Sequence, residues 1–536
     1  DDFGATSEDL PPLAGPDRDG IELEIIVFTS PTPAPPGEPR FGGSLRVAWT
    51  GPVIRLDPVI TDFYTFASEY HSASVGSHLF ESLFRWDENG AAQPSLVENW
   101  SMSADGLQFS FSLRRGITFH DSSPVTSEDA RLSLDRWKST GSTQASLVRK
   151  FTPSSWLQTP DENTLVASLQ QPLPSFIDLL SQPNLTPYVM PRTHALRQPR
   201  RSVKELVGTG PYAFTAWRPG ESVTVERFRD YVARPEPASG YSGEQTAWIE
   251  HISWVDINDP DLQIAALLAG DVEVVDGADL SAYGRLSDEP SIRVLRGLPG
   301  NRSLVYLSPA SSVFREPRAR LAAQAAIDVA AAMGAMGDSE LWSLCPAVYW
   351  CDGPLDVRDG EDLYGGSGPG RAGDLLAGSD YGGETVIVLG ASDFAWTAPL
   401  VQVVADALRS AGFEVESTAT DYLTYGGLLR RTGNYTALIG WYGHWGGGSP
   451  LTDPTLGSAG RLVAEHEQLI ELRNRYALEP DSTRRLEIVR DINRLRFELA
   501  TSVLLGTFDH ILPTTRDLKG VGLFALPYYA NAWLER

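Results

Sequence analysis

At 536 residues the chain is too long for one hydrophobic core, so two or more domains are expected. With 42% apolar and 21% charged residues it has the balance of an ordinary folded globular protein. A net charge of −25 argues against nucleic acid as a partner and against electrostatic attachment to anionic lipid, since both require a basic surface.

No apolar run reaches the ~18 residues of a membrane span. The chain begins at Asp1, which points to a processed or trimmed product. Residues 21–28 (IELEIIVF) carry Glu22 and Glu24 and no basic flank, so they do not read as a signal peptide. Residues 1–41 are rich in proline and acid and read as an extended leader or tether. Folded structure is expected from Gly42 and Gly43, where SLRVAW alternates as a strand. A stretch bearing Phe63, Tyr64 and Phe66 follows, and residues 78–86 (HLFESLFRW) read as a helix.

From Pro94 the pattern turns β-rich. Asp105-Gly106 before the alternating LQFSFSLRRG signals a hairpin whose Gln108, Ser110 and Ser112 face away from the core. Thr126 opens a helix with good N-terminal chemistry, and residues 161–169 read as another strand. A second hairpin turns at Pro219-Gly220. The strand HISWVD, a helix capped by Asp259 and ended by Gly270, and the strand VEVVDG form one βαβ unit. SLVYLS is a further strand and residues 317–333 an Ala-rich amphipathic helix. Residues 360–373 read as a glycine-rich loop; its GxGxxG spacing follows no strand and contains Pro369, so it is no nucleotide site. ETVIVL, a helix over 399–411 and FEVEST form a second βαβ unit. Two amphipathic helices split near Pro480 precede a closing strand, SVLLGTF.

Cys345 and Cys351 lack the spacing of a redox CxxC or a zinc pair. A local disulfide is the favoured reading, implying an oxidising compartment; the alternative is two unrelated buried thiols. Residues 435–457 hold the chain's most distinctive stretch. Leu438 and Ile439 read as a short strand, followed by a loop with Trp441, Tyr442, His444 and Trp445, three glycines and two X-Pro steps. Large rings on a loop at a strand end suit a ligand-facing wall. No GxSxG elbow, Walker loop or HExxH occurs.

The order of segments resembles the extracellular solute-binding proteins of ABC importers, family 5, over roughly residues 42–536. Its carriers are GGSLRVAW, LVENWSMSADGLQFSFSLRRGITFHDSSPVTSEDARLSLDRW, GTGPYAF, LLAGDVEVVD and FREPRARLAAQAAID, while WSLCPAVYWCDGP is similar to a cysteine-bearing subgroup. The resemblance implies an α/β fold: a two-lobed, periplasmic-binding-protein-like clam of type II with an extra β-rich insert in lobe one. Mapped here, lobe one is 42–85, 206–296 and 509–536, the insert 86–205 and lobe two 297–508. Crossings near 297–301 and 506–508 would act as the hinge. It further implies a small-molecule solute, a membrane-embedded ABC permease as partner, no catalysis, no cofactor and no metal, and a monomer in the periplasm or outside the cell, with a lipid tether compatible.

Peptide-binding members carry Trp-x-x-Asp-x-x-acid-Pro, whose first Asp holds the peptide's α-amino group. Here the Trp is Trp441, His444 stands at that Asp, and Asp453-Pro454 arrives six residues late. Peptide is therefore not the expected solute; a neutral, aromatic or methylated-ammonium molecule or an oligosaccharide is. Expected ligand contacts are Trp441, Tyr442, His444, Trp445, Asp453, Phe63, Tyr64, Tyr349 and Trp350. The competing readings are a secreted glycosidase, which needs a carboxyl pair across the cleft, and a binding fold repurposed as a sensor or chaperone.

Overall fold

Side-chain chemistry at element ends sets much of the local structure. In the computed structural model the described residues are 25–26, 39–51, 53, 56–57, 66–140, 142–183, 186–196, 205–351, 353–364, 366–429, 435–443, 448–453, 456, 466–524 and 526–535. Strand β1 (Ser44–Trp49) and helix α1 (Phe66–Leu79) open the first lobe. The insert begins with the hairpin β2 (Val97–Met102) and β3 (Gln108–Leu113), where Gly106 supplies the left-handed turn residue. Phe109, Phe111 and Leu113 are buried while Gln108 and Ser112 are exposed, as the alternation requires. In α2 (Ser127–Lys138) Thr126 and Asp129 form a reciprocal capping box. Strands β4 (Leu157–Asp161) and β5 (Thr164–Ser168) complete a four-stranded sheet in the order β2-β3-β5-β4. A buried pair ties α2 to the segment after β1: Arg136 donates to both carboxylate oxygens of Asp57, at 3.1 and 2.7 Å.

The main sheet continues with the hairpin β6 (Tyr212–Arg218) and β7 (Ser222–Arg227), then β8 (His251–Asp256). Asp259 caps α3 (Pro260–Ala269) and Gly270 ends it in the left-handed region, after which the short β9 (Val274–Val275) runs parallel to β1. Next come β10 (Ile292–Leu307), α4 (Pro317–Ala326), β11 (Val386–Ala391), α5 (Thr397–Ser410) and β12 (Val415–Thr420), the last parallel to β11. Then α6 (Tyr422–Leu429), β13 (Ala437–Gly443), α7 (Glu467–Leu478), α8 (Ser482–Leu499) and β14 (Ser502–Thr515) follow.

The strand order is β12-β11-β13-β10-β14-β9-β1-β8-β7-β6. Strands β11, β12 and β13 therefore lie on one flank of the β10–β14 pair, and β1, β6, β7, β8 and β9 on the other. β10 and β14 pair antiparallel from Ile292 opposite Thr515 to Gly297 opposite His510. They shift register, then pair again from Asn301 opposite Phe508 to Tyr306 opposite Ser502. Ile25–Ile26, within the segment expected to be a leader, pairs in parallel with Arg296 and Gly297 at this same point. The chain's end returns to lobe one. Tyr529 N donates to His78 Nε2 at 2.9 Å, Arg85 Nη1 to the Tyr528 hydroxyl at 3.2 Å, and the Tyr241 hydroxyl to Leu526 O at 2.9 Å.

Five local expectations change. The helix expected over 78–86 ends at Leu79; Phe80, Leu83 and Phe84 are buried together with Glu81, Ser82 and Arg85, and residues Phe84–Trp86 are a strand. The single helix over 317–333 is two, since the Asp328 side chain accepts from Ala330 N and Ala331 N and starts a new one. Part of the glycine-rich loop, Pro369–Ala377, is helical, with proline tolerated in its first turn. Residues 161–169 hold the end of one strand and the whole of another, joined by a turn. SLVYLS and SVLLGTF are only parts of β10 and β14, which run on through glycines and prolines that read as breaks.

The close approach at the crossing makes Gly300 a sensitive position. A Cβ there would lie 2.2 Å from Phe508 O and 2.6 Å from His510 N, so β14 would have to move. Gly300→Val is expected to destabilise the protein by about 1–3 kcal/mol, read as a lower urea midpoint; an unchanged midpoint would contradict this packing.

Candidate functional site

Residues that follow strand ends converge where β10 and β14 lose register. Thr50 follows β1, Asp276 follows β9, Phe394 and Trp396 follow β11, and Trp441 to Gly443 end β13. This is the side of an α/β sheet where ligands bind, outside the carboxyl ends of the strands. Together with Tyr70, His71, Asn301, Tyr422, Phe508 and His510 they line a cleft of about 840 Å³, its mouth included. Thr50, Tyr70, His71 and Asp276 come from the chain at β1, α1 and β9, and the aromatic wall from residues 394–442 with Phe508.

Trp441 is the centre of that wall. Phe394 and Trp396 meet its ring edge-on at 4.8 and 5.0 Å, and Tyr422 stacks on it at 5.8 Å. Phe508 lies 5.1 Å from Trp396 and carries the wall to the crossing. Trp441 is half-buried, leaving ring surface toward the cleft. Aromatic rings offer flat apolar faces with negative π density, suited to sugars, rings and soft cations.

Opposite stands Asp276, whose side chain has no exposed surface. Its Oδ1 accepts from the Tyr70 hydroxyl at 2.7 Å and from His510 Nε2 at 3.0 Å. Its Oδ2 has no hydrogen-bond partner in the protein. Burial, and then the charge of Asp276, push the Tyr70 phenol well above its ordinary value, so it stays protonated and donates. His71 stacks on Trp49 with centroids 3.9 Å apart. Burial lowers His71 to about 4 despite the attraction of Asp276, so its imidazole is neutral near pH 7. The other cleft carboxylate, Asp509, is matched by Arg296, whose Nε donates to it at 2.7 Å. Among the described residues no group of three His, Cys, Asp or Glu side chains could hold a metal ion.

The residues expected from the sequence divide three ways. Trp441 and Tyr442 face the cleft, but both lie on β13 and not on a loop: the strand runs to Gly443, paired with Asn301 of β10. Phe63, Tyr64, His444 and Trp445 lie outside the described residues. Asp453, Tyr349 and Trp350 are buried together away from the cleft lining. Asp453 accepts from Arg496 Nη1 at 3.0 Å and from the Tyr349 hydroxyl at 3.4 Å. Burial alone would lower the Arg496 pKa; Asp453 together with Tyr442, Tyr349 and Tyr306 outweighs it and the value rises. Trp350 lies 5.3 Å from the Arg302 guanidinium.

Cys345 and Cys351 are bridged, with Cα atoms 5.7 Å apart. The loop they close wraps Arg302, which donates from Nη1 to Cys345 O and from Nη2 to Tyr349 O, both at 3.3 Å. This side chain is fully buried, and desolvation lowers its pKa. Sequence reading missed Asp276, His510, Tyr70, His71, Asn301, Phe394, Trp396, Tyr422 and Phe508. One signal was available: in VEVVDG the acid directly follows a strand and precedes a glycine, a position aimed at the cleft by topology.

Fold and cleft define a two-lobed solute-binding protein of the periplasmic type. Residues 91–461 match the family described as bacterial extracellular solute-binding proteins, family 5 Middle, and the chain belongs to that family. It is 26% identical over 499 residues to the probable peptide ABC transporter periplasmic-binding protein y4tO of Sinorhizobium fredii, covering 89% of this chain and 91% of that one. Its fold matches the binding protein AgaA of A. tumefaciens R10, solved with agropinic acid, at a TM-score of 0.78 and 20% identity, over 92% of this chain and 99% of that one. It also matches the dipeptide-binding protein of Pseudoalteromonas sp. SM9913, solved with Met-Leu, at 0.79 and 15% identity, over 92% and 100% of the two chains.

Two outcomes follow from this chemistry. Thiol titration of the denatured, unreduced protein should find no free cysteine, and replacing both cysteines by serine should cost about 2 kcal/mol of stability; two free thiols would remove the bridge. Separately, His71 is neutral in the fold, so between its ordinary value of about 6.5 and its folded value of about 4 protons add to the unfolded chain first. Stability present at neutral pH is therefore lost as pH falls through that window, by about 2 kcal/mol between about pH 7 and about pH 5. Urea unfolding at both pH values should show a loss smaller by that amount in His71→Gln.

Proposed function

We propose that the protein is an extracytoplasmic receptor that encloses a small solute between its lobes and delivers it to a membrane-embedded ABC permease, acting as a monomer and without catalysis. The observation that carries this reading is the cleft itself, built from both flanks of the β10–β14 crossing and walled by Trp441. Groups from two lobes around one volume make closure on a ligand the natural mode of binding, by rotation at residues 297–301 and 506–508. In this reading lobe one is 42–85, 206–296 and 509–536, with 86–205 as its insert, and lobe two is 297–508. His444, Trp445, Phe63 and Tyr64 are proposed to join the described lining.

The solute is proposed not to be an ordinary short peptide held through its free α-amine by lobe two. The acid that lobe two offers near Trp441, Asp453, is engaged by Arg496, and the described lobe-two lining is aromatic. An ammonium placed there without a counter-charge would cost several kcal/mol. A glycosidase would need two available carboxyls, and Asp509 is already committed to Arg296.

A thermal-shift screen across sugars, chelates, aromatic acids, organic cations and short peptides is expected to find a stabilising solute. A ligand at a hundred times its Kd adds about 2.7 kcal/mol. Small-angle scattering should then give a smaller radius of gyration with that solute; an unchanged radius would exclude closure. Micromolar peptide binding that vanishes on N-acetylation would overturn the solute class.

A further inference from the structure

The unpartnered oxygen of Asp276 carries the strongest signal in the cleft. A carboxylate with a fully buried side chain and one oxygen lacking any protein donor is costly unless something answers its charge. Oδ1 already takes two donors, from Tyr70 and His510, Oδ2 takes none, and Asp276 is one of the residues lining the cleft. The described lining includes no Lys or Arg, and its second carboxylate, Asp509, is matched by Arg296. This balance disfavours a solute whose main polar group is an acid or a phosphate, because each would meet Asp276 with like charge. It favours a cation.

The kind of cation follows from the donor and acceptor count. A primary ammonium brings three N–H donors. The side chains nearest Asp276, Tyr70 and His510, are themselves donors and are spent on Oδ1. A fully alkylated ammonium needs no hydrogen bonds; a single carboxylate and the faces of aromatic rings are what stabilise it. The opposite wall supplies those rings in Trp441, Tyr422 and Phe394.

Resting on the receptor reading above, we propose that the cleft takes an alkylated ammonium solute, its cationic head at Asp276 and its apolar body against the Trp441 wall. The solute would then touch both lobes at once, with the charge fixed by lobe one and the body by lobe two. Neither lobe alone would hold it tightly.

The test uses the whole chain and defined probes: choline, phenyltrimethylammonium, and the carbon isostere of choline in which a tert-butyl group replaces the trimethylammonium head. Tryptophan fluorescence and thermal shift should show either cation binding at least about tenfold tighter than the isostere. Asp276→Asn should erase that preference while keeping the unliganded melting point within a few degrees. The cation–isostere comparison is made on the unmodified protein, so it decides even where the variant does not fold. Equal binding of the isostere, no saturable binding of either cation at millimolar concentration, or a preference kept in Asp276→Asn would each overturn the proposal. An uncharged or anionic solute that closes the lobes while both cations stay inert would overturn it and leave the receptor reading standing. Failure of every solute class in the wider screen would instead remove the receptor reading.

Discussion

Pairing between β10 and β14 is the constraint on which the rest of the molecule depends. These two strands belong to both flanks of the sheet, and their partners are far apart in sequence, as with Arg296 and Asp509 at a separation of 213 residues. A ladder that runs unbroken would weld the flanks into one rigid sheet. The register shift between Gly297 and Asn301 interrupts it where the cleft forms, and bulges of this kind bend strands and re-aim side chains. Phe508, Asp509 and His510 therefore enter the site as neighbours of the break. The cleft and the break in the ladder are the same place.

Charge is handled differently on the two sides of that break. In lobe two the buried charges are answered within the protein: Asp453 by Arg496, and Arg302 by carbonyls of the disulfide loop together with the Trp350 ring. Such clusters add little net stability over apolar residues, but removing one partner is expensive. Asp276 is only half answered, by two donors on one oxygen. The contrast separates groups satisfied within the protein from a buried carboxylate of the cleft lining that keeps one oxygen unanswered. It also explains why buried aromatics beside Asp453, such as Tyr349, are poor guides to the ligand although they sit on a distinctive motif.

Legibility in the sequence tracked the range of the forces involved. Capping at Thr126 and Asp259, the Gly270 stop and the hairpin at Gly106 are decided within a few residues, and each reads directly from local chemistry. The two βαβ units followed from periodicity, and the family's segment order supplied the two-lobed fold. The long strands did not read correctly, because Gly297, Pro299 and Gly300 look like chain breaks until their partners are known. The same limit hid much of the site. Trp441 announced itself by composition, whereas Asp276 and His510 are ordinary residues made significant by strands that meet from 234 positions apart.

The return of the chain's end to lobe one has a consequence for how the protein is made. Tyr528 and Tyr529 close over Arg85 and His78, and β14 supplies a central strand beside β9, yet β14 and both tyrosines come after residues 297–499 in the sequence. The lobe whose first strand leaves the ribosome earliest is thus the one completed latest, after nearly the whole of lobe two has been translated. Long-range pairings of this kind are slow to form and leave apolar surface waiting for its cover. Lobe one accordingly cannot complete its sheet, and the cleft cannot form, before residues 502–529 have joined it.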